Sequence, residues 1–149
     1  VLISPITIND ARDLYEAREA IEMYLAERAF ANITAEDIVE LEKSIARQEE
    51  FGAAGDAYGF MEEDTYFHRY ILQRYPNRIL IGMHHTMTDR IFLIGVHNSS
   101  NPARLQESID NHKRQIACIK AGDKQGFLRE GSANQVCGYL SITAMHPRL

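Results

Sequence analysis

Apolar residues recur every three or four positions along most of this chain, the pattern of helices that each bury one face. Leu14, Ala17, Ile21, Leu25 and Ala29 form the first stripe. Thr7 and Asp10 make a capping-box pattern ahead of it, and predict a helix running to about Ala31. Residues 1–8 read as extended, the end of an interdomain linker, leaving 9–149 as one domain. Thr34 and Asp37 repeat the capping signal before a second stripe of Ile38, Leu41 and Ile45, predicted to end near Gly52. Gly55 and Asp56 open a third helix with Phe60, Phe67 and Ile71 inward, and Pro76 interrupts the pattern.

A fourth stripe carries Leu80, Met83, Met87, Ile91 and Ile94, followed by a polar loop at 98–101. Pro102 suits the first turn of a fifth helix, built on Leu105, Ile109, Ile116 and Ile119. Gly122 stops that helix, and Asp123 can cap a last one from about Lys124 with Phe127, Val136 and Leu140. Strand signals are almost absent. The predicted fold is all-α, an antiparallel helical bundle of about six to seven helices joined by short connections.

Composition changes this picture little. The chain has 149 residues, 45% hydrophobic and 25% charged, which suits one soluble globular domain. Its net charge of −5 gives the chain as a whole no electrostatic footprint for nucleic acid. The longest apolar run, around 91–96, is far too short to span a membrane, and no secretory leader is visible. Opening at Val1 rather than Met points to a fragment or a processed product. Cys118 and Cys137 suggest no disulfide framework and read as two buried thiols in a reducing cytoplasm.

Chemistry enters where polar residues fall on apolar stripes. Asp64 lies between Phe60 and Phe67, and His68 follows it by one turn. A carboxylate facing a core needs compensation, and a bound cation would supply it. His112 sits between Ile109 and Ile116 on the fifth stripe, and Asn134 falls one heptad after Phe127. Four polar side chains from three helices can therefore converge on a metal inside the bundle. The competing reading is of core histidines satisfied by protein partners.

His84 shares the stripe of Leu80 and Met87, as a reserve ligand or a ligand-contacting group; His85 is its neighbour. His97 and His146 fall in loop or tail and have no role. Arg18, beside Ile21, could fork onto a ligand carboxylate or pair with Glu22 four residues on. Arg90 invites the same two readings. Tyr15, Tyr24, Tyr58 and Tyr66 read as the edge of the core.

These residues lie in segments that resemble the FCD effector domains of GntR-type transcription regulators. Residues 13–22, DLYEAREAIE, resemble the family's first helix. Residues 63–68, EDTYFH, look like its Asp and His signature, and residues 110–127, DNHKRQIACIKAGDKQGF, are similar to its His-bearing stretch before the final helix. The resemblance spans about residues 10–135.

The resemblance implies a divalent metal held by one Asp and three His. Asp64, His68 and His112 match, while Asn134, 22 residues after His112, stands where the fourth histidine is expected. An amide oxygen is a harder ligand than imidazole. Zinc is the first expectation, with nickel or manganese as alternatives and a metal-free site as a further one. The resemblance also implies a small carboxylate effector contacting the metal, Arg18 and, by a looser match, Arg90; His84 joins the effector contacts only through its place on the fourth stripe. It further implies a homodimer, and DNA binding only through a winged-helix domain that precedes this chain.

Two other functions compete. A metal-dependent hydrolase or lyase would need a base near the open coordination position, where Glu62 or Glu63 could serve. A ligand-free helical dimerisation module would need neither metal nor acid. The pattern shows no nucleophile–base pair, phosphate loop or HExxH motif, so the expectation is of a protein that is not an enzyme.

Overall fold

Short caps and turns divide the chain into helices. The computed structural model describes the backbone of residues 8–95 and 101–145, and the side chains of 10–92 and 101–134. Six α-helices occupy these residues: α1 Ile8–Ala29, α2 Ala35–Ala54, α3 Ala57–Leu72, α4 Arg78–Gly95, α5 Pro102–Ala121 and α6 Lys124–Met145. A 3₁₀ turn, Phe30–Asn32, closes α1, which therefore ends two residues before the expected Ala31.

Caps and glycine stops decide several boundaries. Thr34 accepts from the Asp37 backbone N–H at 3.2 Å, and Asp37 accepts from the Thr34 N–H at 2.9 Å, a reciprocal box that starts α2. Asp56 caps α3 by accepting from the Gly59 N–H. Asn101 caps α5, and Pro102 sits in its first turn. Gly55 and Gly122 both adopt φ of 69°, the left-handed conformation that ends α2 and α5 and favours glycine. Gly55, rather than Gly52, is therefore the stop of α2. Thr7, Ile94, His97, Val136, Cys137, Leu140 and His146 lie outside the described side chains.

The two-residue turns at Gly55–Asp56 and Gly122–Asp123 fold α2 against α3 and α5 against α6 as antiparallel neighbours. Helix α1 packs on α3, α4 and α6, and α2 also packs on α5. Leu25, Leu41, Phe60, Phe67, Ile71, Ile109, Ile116 and Phe127 bury a common apolar core. The all-α bundle is thus as expected, with two faces rotated. Ala17 points outward, because α1 turns Tyr15, Arg18, Glu22 and Leu25 inward. Met83 is half exposed, because α4 buries His84, Thr88 and Ile91 instead. Neither rotation follows the apolar pattern, since polar side chains occupy part of both buried faces.

Candidate metal centre

Those inward polar residues meet beside the apolar core. Asp64 and His68 come from α3, one turn apart, His112 from the middle of α5, and Asn134 from α6. His68 and His112 are buried, and their Nε2 atoms lie 3.2 Å apart. Asp64 Oδ1 is 3.4 Å from His112 Nε2, and Asn134 Nδ2 is 3.1 Å from both imidazole Nε2 atoms. Ser108 donates to Asp64 Oδ1 at 3.1 Å and lies 3.4 Å from Asn134 Oδ1.

The opposite ring atoms fix what these nitrogens can do. His68 Nδ1 faces Glu22 Oε1 at 3.0 Å, and a carboxylate accepts, so Nδ1 carries the hydrogen. His112 Nδ1 faces Gln48 Oε1 at 2.8 Å, while the Gln48 amide nitrogen donates to Ser44. In their neutral forms both rings therefore turn an Nε2 lone pair toward one point. Two lone pairs 3.2 Å apart repel unless something electropositive lies between them.

A cation fits that requirement. Tetrahedral ligands at zinc–nitrogen distances of about 2.0–2.1 Å stand roughly 3.3 Å from one another, close to the separations of 3.2 and 3.4 Å here. Among the described residues, Asp64, His68 and His112 are the ligand group close enough to hold one ion. The fourth position is different. Asn134 turns its amide nitrogen to the imidazoles, and half a turn about its last bond brings the oxygen to the same place. In the amide orientation observed, its N–H groups serve the two lone pairs instead.

Electrostatics separate the two histidines. Burial pushes His112 down to about 3, with Asp64 opposing and His68 reinforcing the shift. For His68 burial also favours the neutral ring, but the Glu22 charge and hydrogen bond outweigh it and raise the pKa. Burial by itself would raise Glu22; His68, Arg18 and the hydrogen bond from His84 hold the carboxyl well below the usual range. Glu22 is therefore ionised inside the bundle, with charged or polar groups around it.

The expected acid-binding residues divide. Arg18 is buried, with Nε 3.4 Å from Glu22 Oε2 but outside hydrogen-bonding geometry. His84 Nε2 lies 3.1 Å from the same oxygen, and burial lowers its pKa despite Glu22. Arg90 is solvent-exposed on α4. His84 Nδ1 and Thr88 Oγ1, one turn apart on α4, are buried without a hydrogen-bond partner among the described residues. Tyr15 is buried, whereas Tyr24, Tyr58 and Tyr66 are exposed. Cys118 is a free, half-buried thiol.

Glu22, Gln48 and Ser108 also belong to the site, through contacts that the apolar pattern does not announce. Gln48 falls one heptad after Leu41 on the apolar stripe of α2, the same signal that singles out Asp64. Glu22 looks like the surface half of an i,i+4 pair, and Ser108 carries no sequence signal.

The FCD domain family matches residues 13–130, most of the chain. The protein belongs to the FCD domain family. The HTH-type transcriptional regulator McbR of Escherichia coli K12 is 27% identical over 116 residues, covering 76% of this chain and 52% of McbR. The chain thus spans about half the length of that curated relative. The solved structure of E. coli McbR/YncC superposes with a TM-score of 0.89 at 20% identity, over 97% of this chain and 69% of that one. The metal-free FCD domain of TM0439 gives 0.80 at 21% identity, over 97% and 99% of the two chains. A Listeria monocytogenes structure, of Lar, described as controlling the agr system, gives 0.82 at 10% identity, over 94% and 66%. These likenesses establish the fold; the family match establishes membership.

Proposed function

We propose that this FCD domain is the ligand-sensing part of a GntR-type transcription regulator, and that it binds a small organic acid through a divalent cation, zinc first. Asp64, His68 and His112 hold the cation, and Asn134 completes the site through its amide oxygen. Arg18 pairs with the acid's carboxylate, and His84 accepts a hydrogen bond from a donor on the ligand. The observation that carries this reading is the pair of imidazoles whose Nδ1 atoms are tied to Glu22 and Gln48 and whose Nε2 atoms share one focus. Buried polar groups normally have partners, so the lone His84 Nδ1 and, one turn on along α4, Thr88 Oγ1 support a polar ligand there.

In the complete regulator the acid shifts the balance between arrangements of a cytoplasmic homodimer, and a winged-helix domain preceding this chain responds on DNA. The cation anchors a carboxylate; it does not activate water. Of the carboxylates that hydrolytic chemistry would call on as a base, Glu63 is tied to Arg47 at 2.8 Å and Glu62 is exposed. A metal-free reading is favoured by one observation, the Asn134 amide that already serves both imidazoles. Thermal unfolding with zinc, nickel or manganese, alone and with a panel of small carboxylates, separates the two. Sensing predicts a rise in the melting temperature with metal and a further rise with acid, whereas no shift with any combination leaves a structural dimerisation module.

A further inference from the structure

Glu22 is nearly enclosed, and both its oxygens are engaged. Oε1 faces His68 Nδ1 at 3.0 Å. Oε2 faces His84 Nε2 at 3.1 Å and Arg18 Nε at 3.4 Å. The partners come from α3, α4 and α1. One buried negative charge is therefore divided between an imidazole of the cation site and two residues assigned above to the acid.

We infer that Glu22 is a positioning residue that aims His68 at the cation and couples the acid contacts, Arg18 and His84, to cation affinity. The inference rests on the cation reading above. A carboxylate that holds the far N–H of a metal-bound histidine fixes its tautomer and ring plane and makes the ligating nitrogen more basic. Arg18 draws on the same carboxylate. An acid that pairs with the guanidinium relieves that draw and leaves more of the charge to His68. The acid then tightens the cation, and by linkage the cation tightens the acid. His112 is held differently, by the neutral Gln48 amide of α2. The two imidazoles are thus unequal, His68 answering to the acid contacts and His112 fixed by the scaffold.

Zinc affinity, measured by competition with a chromogenic chelator, tests this in a double-mutant cycle. Glu22→Gln leaves one accepting oxygen for two imidazoles, and zinc affinity falls roughly 10–100-fold. Arg18→Met removes the competitor for the carboxylate and tightens zinc about threefold or more. In the Glu22→Gln background the same Arg18→Met change has no effect. Zinc affinity of Glu22→Gln within about twofold of the unaltered protein overturns the inference. So does an Arg18→Met effect of equal size in both backgrounds, which means a direct repulsion between guanidinium and cation. Circular dichroism verifies the fold of each variant. If Glu22→Gln does not fold, Glu22→Asp replaces it, with a shorter reach and the same expected weakening. Failure of the unaltered protein to bind zinc overturns the cation reading and the coupling together, whereas normal binding with an indifferent Glu22→Gln overturns the coupling alone.

Discussion

The interior has two unlike regions built from the same helices. Leu25, Leu41, Phe60, Ile109, Ile116 and Phe127 pack as an apolar core. Against it, Glu22, Gln48, His68, His84 and His112 are equally buried but polar. Phe67 stands at the boundary, fully buried, its ring stacked on His112 with centroids 4.2 Å apart. The apolar region gains from burial without direction and tolerates adjustment. The polar region depends on partners at particular atoms, because each unmatched buried group costs about 1–3 kcal/mol. A bundle of this size therefore owes its stability mainly to the first region and its chemistry to the second.

The largest effect expected is at the boundary. Phe67→Ala should cost about 3–5 kcal/mol in urea unfolding and also loosen His112. A cost under about 1 kcal/mol would mean that the two regions are not packed together as described. Next is Asp64→Ala, at the more exposed edge of the polar region. It should remove the zinc-dependent rise in stability, about 2.7 kcal/mol at a hundredfold excess over the dissociation constant, while leaving the metal-free protein folded. An unchanged zinc shift would exclude Asp64 as a principal ligand.

Asn134→His sharpens the comparison in the opposite direction. It supplies a third imidazole, and zinc should bind roughly tenfold tighter, about 1.4 kcal/mol. No gain in chelator competition would show that position 134 does not face the cation.

The smallest effect lies outside both regions. The Asp37 carboxylate accepts from Thr34 N–H and Tyr70 O–H and lies near Arg74; burial opposes, but these contacts hold its pKa low. A carboxyl lowered on folding contributes stability above its unfolded pKa and loses it as pH falls through the folded value. Asp37→Asn should therefore cost about 1 kcal/mol near neutrality, with the difference from the unaltered protein fading below the ordinary carboxylate range. A difference independent of pH would mean that the charge is not what matters there.

The readability of the sequence followed the same division. Phe60, Phe67 and Ile71 were legible because apolar burial imposes a helical period. Asp64, His68 and His112 were legible because they violate it. The apolar pattern points Met83 inward, but α4 spends its buried face on His84 and Thr88, which that pattern does not count. The i,i+4 spacing pairs Glu22 with Arg18, and the ion pair is present, but nothing local reveals that the same carboxylate reaches His68 on α3 and His84 on α4.

By itself the sequence determined the helices, through the caps at Thr34 and Asp56, Pro102 in the first turn of α5 and the glycine stop at 122, because these act within one turn of chain. It also placed the candidate ligands one turn apart on α3 and midway along α5. The tertiary structure decided which ring nitrogen of each histidine is tied, that Asn134 presents an amide edge to both, and that one Glu22 carboxylate meets Arg18, His68 and His84 together. Those facts depend on hydrogen bonds between residues up to 66 positions apart, and only packing fixes the directions of such bonds.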